Sequence, residues 1–159
     1  MIANALLQGA IGLRMAIARR QLLAPFVRAT QRPVAAQQKV LLDILRENAQ
    51  TRYGREHGFG AIRSVHEYRQ RVPVNDYEAL RPHIACQQAS GEPCLTRERP
   101  ILFARTSGSS GHPKDIPILP SSVRQYRRSQ QMVASLIHRA FPGAFAGKVL
   151  AIGSPAIEG

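Results

Sequence analysis

Nine consecutive residues, Thr106-Ser107-Gly108-Ser109-Ser110-Gly111-His112-Pro113-Lys114, stand between two short apolar runs, Pro100 to Ala104 and Ile116 to Leu119. Runs of that length bounded by Gly and Pro read as strands, here buried ones, so the nine residues form a loop between strands. A loop that grips a polyphosphate needs inward-turning N–H groups, small residues that let the anion approach, hydroxyl donors and a cation. This one has them all. Gly108 and Gly111 free the backbone, Thr106, Ser107, Ser109 and Ser110 supply donors, and Lys114 supplies charge. Lysine is otherwise scarce, with only Lys39 and Lys148 elsewhere among 22 basic residues. The spacing is not that of a Walker A site, because Asp115 follows Lys114 where a magnesium-binding Ser or Thr would be needed. On composition alone a Ser/Gly surface turn competes with the phosphate reading.

Upstream of the loop the patterns are helical. An Arg-rich lead-in ends at Pro33, and a helix follows with Val40, Leu41, Ile44 and Leu45 on its apolar face; the Gly-rich stretch Thr51 to Gly60 ends it. Ser64 with Glu67, and Asn75 with Glu78, have capping-box spacing and predict two short helix starts. Gly91 closes the second. Beyond the loop, Ser121 or Ser122 can cap a longer helix with Tyr126, Val133, Ile137 and Ala140 near one face, and Lys148 to Ile152 reads as a third strand. The expectation is an α/β fold in two parts: a helical lead-in over 1–33, and a domain over 34–159 that begins a larger sheet.

Charge narrows the partners. The formal net charge is +12 in 159 residues, carried mostly by arginine spread along the chain. With no zinc-finger spacing or aromatic RNA-binding signature, that spread argues against specific nucleic-acid recognition. The opening segment lacks a basic n-region and is interrupted by Asn4, Gln8 and Arg14, so it is neither a good signal peptide nor a good membrane span. Arg14, Arg19, Arg20, Arg28 and Arg32 precede the first acid, Asp43. Such a segment suits a transit peptide or a helix lying on an anionic membrane surface; a helix packed on the body of the protein is at least as good a reading. Cys86 and Cys94 match neither a zinc knuckle nor a redox CxxC pair, so two reduced thiols in a cytoplasmic protein are expected. The histidines, His57, His66, His83, His112 and His138, have no ligand spacing, and no metal is assigned to them. Arg124, Arg127 and Arg128 read as a solvated helix face, with steering of ATP as the alternative.

The loop Thr-Ser-Gly-Ser-Ser-Gly-His-Pro-Lys resembles the ATP loop of the adenylate-forming superfamily, with Ser109 and Ser110 where Thr is more usual. The step Asp115-Ile116-Pro117 narrows the resemblance to the auxin-responsive promoter family of acyl-acid amido synthetases and its bacterial relatives. The stretches Asn48 to Phe59, Arg71 to Glu78 and Gly91 to Thr96 are similar to that family as well. The resemblance covers roughly Gln37 to Gly159. It implies an adenylate-forming N-terminal domain, incomplete in this chain, that uses ATP and Mg²⁺ to activate a small carboxylic acid as its acyl-adenylate, with an amino acid as a potential acceptor. Thr106, Ser107, Gly108, Ser109, Ser110, Gly111 and Lys114 would hold the phosphates; no catalytic residue is assigned. Tyr126, Gln130 and Val133 are weak candidates for the acyl pocket, on the same resemblance. Family members are several times longer, so a truncated or incomplete chain, inactive alone, is expected. The alternatives are a non-catalytic nucleotide- or phosphate-binding remnant and a basic surface-associating protein.

Overall fold

A computed structural model of the chain describes residues 2–106, 112–145 and 147. Helices dominate: α1 (Ile2–Ala18), α2 (Ala24–Thr30), α3 (Pro33–Glu47), α4 (Arg52–Glu56), α5 (Val65–Arg71), α6 (Tyr77–Ser90) and α7 (Pro120–Ala140), with one widened helical turn at Arg19–Leu23 joining α1 to α2. Strands β1 (Leu102–Arg105) and β2 (Asp115–Ile118) pair antiparallel, Leu102 opposite Ile118 and Arg105 opposite Asp115. The chain divides into two units, one of residues 29–126 and one of residues 1–28 with 127–159.

The core of the unit 29–126 is Leu45, Tyr53, Phe59, Ile62 and Val72, all buried, with Leu41, Leu42, Tyr68, Leu80 and Leu95 packed around them. Only part of the expected α3 stripe is buried, because Leu41, Leu42 and Leu45 turn inward while Val40 and Ile44 are exposed. The stretch expected merely to end α3 also builds α4. Thr51 Oγ1 accepts the Gly54 N–H at 2.9 Å and donates to the Asn48 carbonyl at 2.8 Å, which caps the short helix and turns the chain at once. A Cβ at Gly54 would collide with the Asn48 carbonyl oxygen.

Two of the helix starts contrast. Ser64 accepts the Glu67 N–H at 3.1 Å as its spacing predicts, although the Glu67 carboxylate reaches the Arg63 N–H rather than that of Ser64. At the second start Asp76, not Asn75, is the cap, accepting the Ala79 N–H at 2.9 Å. Asn75 instead donates to Tyr53 Oη at 2.6 Å, serving a partner far away in sequence. The start of α7 is held by neither Ser121 nor Ser122 as a cap; the Glu98 carboxylate accepts the Ser121 N–H at 2.9 Å and pairs with Arg124.

After α6, Gly91 takes the left-handed conformation, φ 71°, and reverses the chain against its own helix. The expected free thiols are overturned there: the reversal brings Cys94 to Cys86, and the two form a disulfide. Buried Gln87 fixes the same loop. Its amide oxygen accepts the Leu95 and Thr96 N–H groups at 3.0 and 2.9 Å, and its nitrogen donates to Thr96 Oγ1 at 2.7 Å. The returning loop then offers the Pro93 and Cys94 carbonyls to the Arg52 and Tyr53 N–H groups, which open α4.

The two strands lie where the apolar runs predict, but they are not buried. Ile101, Leu102 and Ile116 are exposed, while Phe103, Ala104, Pro117 and Ile118 are only half-buried, the start of α6 reaching β2. The expected third strand, Lys148 to Ile152, lies outside the described residues. In the other unit, Ala18 is buried and the Arg19 guanidinium lies 3.5 Å from the Ser135 carbonyl of α7.

Candidate functional site

The candidate site is the neck and base of the loop between β1 and β2. Strand pairing continues past Arg105 and Asp115: the Thr106 N–H donates to the Lys114 carbonyl at 3.0 Å, and Thr106 Oγ1 accepts the Lys114 N–H at 3.0 Å. These two bonds close the neck. Ser107, Gly108, Ser109, Ser110 and Gly111 lie outside the described residues, so of the seven candidate phosphate contacts the structure brings together Thr106 and Lys114.

Beneath the neck stands Tyr77, the first residue of α6. Its Oη accepts the Asp115 N–H at 2.8 Å, and Lys114 Nζ lies over its ring, 5.5 Å from the centroid. Arg81 flanks the same ring at 5.8 Å. Arg105 and Asp115, opposite each other in the ribbon, form a forked ion pair at 3.0 and 3.3 Å. Each holds the other charged: the Asp115 carboxyl lies below its ordinary range and the Arg105 guanidinium above its own, chiefly through those hydrogen bonds. The acid next to Lys114 is therefore already taken. Lys114 makes no ion pair among the described residues, and its ammonium stays available to an anion.

Composition missed Tyr77, because nothing local distinguishes it from a core aromatic; its position just after the Asp76 cap is the one signal. Tyr126, Gln130 and Val133, considered for an acyl pocket, are exposed on α7. His57 and His83 flank Tyr53, with ring centroids 4.1 and 5.1 Å from it. Among the described residues no cluster of His, Cys, Asp or Glu could hold a metal ion.

Residues 22–158 match the GH3 family N-terminal domain. The chain belongs to the GH3 family. GH3 relatives include a putative indole-3-acetic acid-amido synthetase GH3.10 of Oryza sativa subsp. japonica, 31% identical over 120 residues. Another is the indole-3-acetic acid-amido synthetase GH3.2 of Arabidopsis thaliana, 29% identical over 125 residues. Those alignments cover 73% and 76% of this chain but 25% and 22% of the relatives. The chain thus spans about a quarter of the length of the GH3 proteins it matches. The resemblance read from the loop and the upstream stretches is borne out at the level of the family, whose matched members are named as acid-amido synthetases.

Proposed function

We propose that this chain is the N-terminal part of an ATP-dependent acyl-acid ligase that joins a carboxylic acid to an amine such as an amino acid. In this reading the parent fold is that of the adenylate-forming enzymes. The acid's carboxylate attacks the α-phosphorus of ATP, pyrophosphate leaves, and the resulting acyl-adenylate is passed to the amine. Thr106, Ser107, Gly108, Ser109, Ser110, Gly111 and Lys114 hold the β- and γ-phosphates. Mg²⁺ would enter with the nucleotide and neutralise part of its phosphate charge.

The observation that carries the proposal is the loop neck within a GH3 match: an ammonium held over Tyr77 with the neighbouring carboxylate already paired to Arg105. The Thr106 hydroxyl accepts from Lys114 N–H and retains its own proton to donate. Both groups suit a polyphosphate. We place the protein in the cytoplasm, where ATP is abundant. Reducing conditions there would oppose the Cys86–Cys94 disulfide, while Gln87 would still pin the loop.

About three quarters of the relatives' length lies outside the matched segment, so these 159 residues are expected to bind ATP without completing the reaction. Calorimetric titration with ATP, beside acid-dependent exchange of pyrophosphate into ATP, tests both statements. Saturable binding without exchange is expected. No binding would sink the phosphate-loop assignment, and exchange above a no-enzyme control would sink the inactivity of the isolated chain.

A further inference from the structure

The GH3 match starts at residue 22, so α1 lies ahead of the matched domain and nothing in the proposed ligase reaction uses it. Its two faces pose a question. Gln8, Ile11, Gly12, Met15 and Ala18 fall on one side at helical spacing and are partly or fully buried. The opposite side ought to be polar in a helix that has only a core to face. Instead it presents Leu6, Ala10, Leu13 and Ile17, spaced i, i+4, i+7 and i+11, with Leu6 70%, Leu13 64% and Ile17 46% exposed. Isolated exposed leucines need no explanation, but a stripe of four along three turns does.

Charge identifies what would cover it. The unit made of residues 1–28 and 127–159 contains eight basic residues and a single acid, Glu158. The unit 29–126 is different: all seven ion pairs of the described residues are there, joining Lys39, Arg46, Arg52, Arg81, His83, Arg105 and Arg124 to carboxylates. Arg14 and Arg20 are exposed and have no acid in their own segment. An apolar stripe beside uncompensated guanidinium groups fits a surface that is apolar a few ångströms below a layer of negative charge. A nucleic acid would satisfy the arginines and leave the leucines in water. A bilayer with anionic headgroups satisfies both, and long basic side chains can reach up to the phosphates from a helix lying at that depth.

We infer that α1 docks the protein on an anionic phospholipid surface, with Leu6, Leu13 and Ile17 entering the headgroup–acyl boundary and Arg14 and Arg20 contacting lipid phosphates. The helix lies on the bilayer and does not cross it; among the described residues no helix is long and apolar enough to span a membrane. This inference does not depend on the ligase proposal.

Cosedimentation of the full 159-residue chain with vesicles is the test, using phosphatidylcholine alone or with about 30 mol% phosphatidylserine, at about 0.1 and 0.5 M salt. Binding is expected only with the serine lipid, weakening at high salt. Arg14→Gln with Arg20→Gln should lower the partition about 25-fold, near fivefold for each charge. Leu6→Gln, Leu13→Gln and Ile17→Gln together should abolish it, with far-ultraviolet circular dichroism confirming that the exposed substitutions leave the helices intact. The chain has no tryptophan, so Leu13→Trp is a clean reporter whose emission should shift to the blue on adding serine-containing vesicles and not with phosphatidylcholine alone. Any of three results overturns the inference. They are equal binding to both vesicle types or to neither, full binding by the triple glutamine variant, and a lipid-independent blue shift that dilution reverses, which would make the stripe a contact between copies of this chain.

Discussion

Tyr77 Oη accepts the backbone N–H of Asp115 at 2.8 Å, so the start of α6 and the start of β2 are joined directly beneath Lys114. The bond matters because the Asp115 N–H points away from β1 and has no partner in the ribbon. Tyr77→Phe should cost about 1 kcal/mol of stability, since a donor is left unpaired while the ring stays in place. Tyr77→Ala removes the platform under the ammonium as well. Urea unfolding and ATP titration of both variants separate the roles: Phe should weaken stability more than ATP binding, and Ala should weaken both. Equal ATP affinity in wild type and Tyr77→Ala would remove Tyr77 from the site.

Lys114→Ala tests the charge itself. Loss of a charge-assisted phosphate contact should weaken ATP binding by about 1.5–3 kcal/mol, roughly 10- to 150-fold. Lys39 is the control. It is paired with Asp43 one helical turn away on an exposed face of α3, and Lys39→Ala should leave ATP binding unchanged and stability nearly so. Should the two variants bind ATP alike, the loop is a surface turn.

Gln87 offers a test of how the loop after α6 is held. Gln87→Ala would strand the Leu95 and Thr96 N–H groups in a part-buried setting, at about 2–4 kcal/mol. Removing the disulfide with Cys86→Ser and Cys94→Ser should cost about 2–3 kcal/mol for so short a loop. Because both changes release the same segment, their effects should combine to something other than their sum. Denaturant midpoints of the variants and their combination measure this, and strictly additive losses would mean that the two devices hold different things.

Acid should loosen the start of α7 and the base of the loop. Hydrogen bonds from Ser121, then Arg124, hold the Glu98 carboxyl below its ordinary range, and Arg105 does the same for Asp115. A carboxylate whose folded value is depressed contributes stability that is present above the unfolded value, about 4, and lost as pH falls through the folded one. Helix content followed by circular dichroism from neutral to acidic pH should fall in that window. Glu98→Gln should flatten the response; an unchanged acid profile in that variant would rule out Glu98 as a contributor.

What could be read from sequence was mostly what short-range chemistry decides. The Ser64 cap formed as spaced, and both strands appeared beside the loop, because neither needs a distant partner. Asn75 was misassigned because Tyr53, twenty-two positions earlier, claims its side chain, leaving Asp76 to cap α6. The disulfide was illegible for a related reason: it depends on Gly91 turning the chain back on α6. Burial of the strands was overestimated since an apolar run reports that something should cover it, not that these residues do. At the site, the loop's composition revealed a cation and hydroxyls, whereas Tyr77 entered through tertiary contact alone.

The close approach at Gly54 has a use beyond this molecule. A Cβ there would meet the backbone carbonyl of Asn48, which cannot step aside, whereas at Gly60 it would only touch the Ala49 methyl at an ordinary 3.8 Å. A library randomised at both positions and selected for folded protein should therefore return one amino acid at position 54 and many at position 60. Across related chains, the first position marks who shares this turn; the second is free to drift.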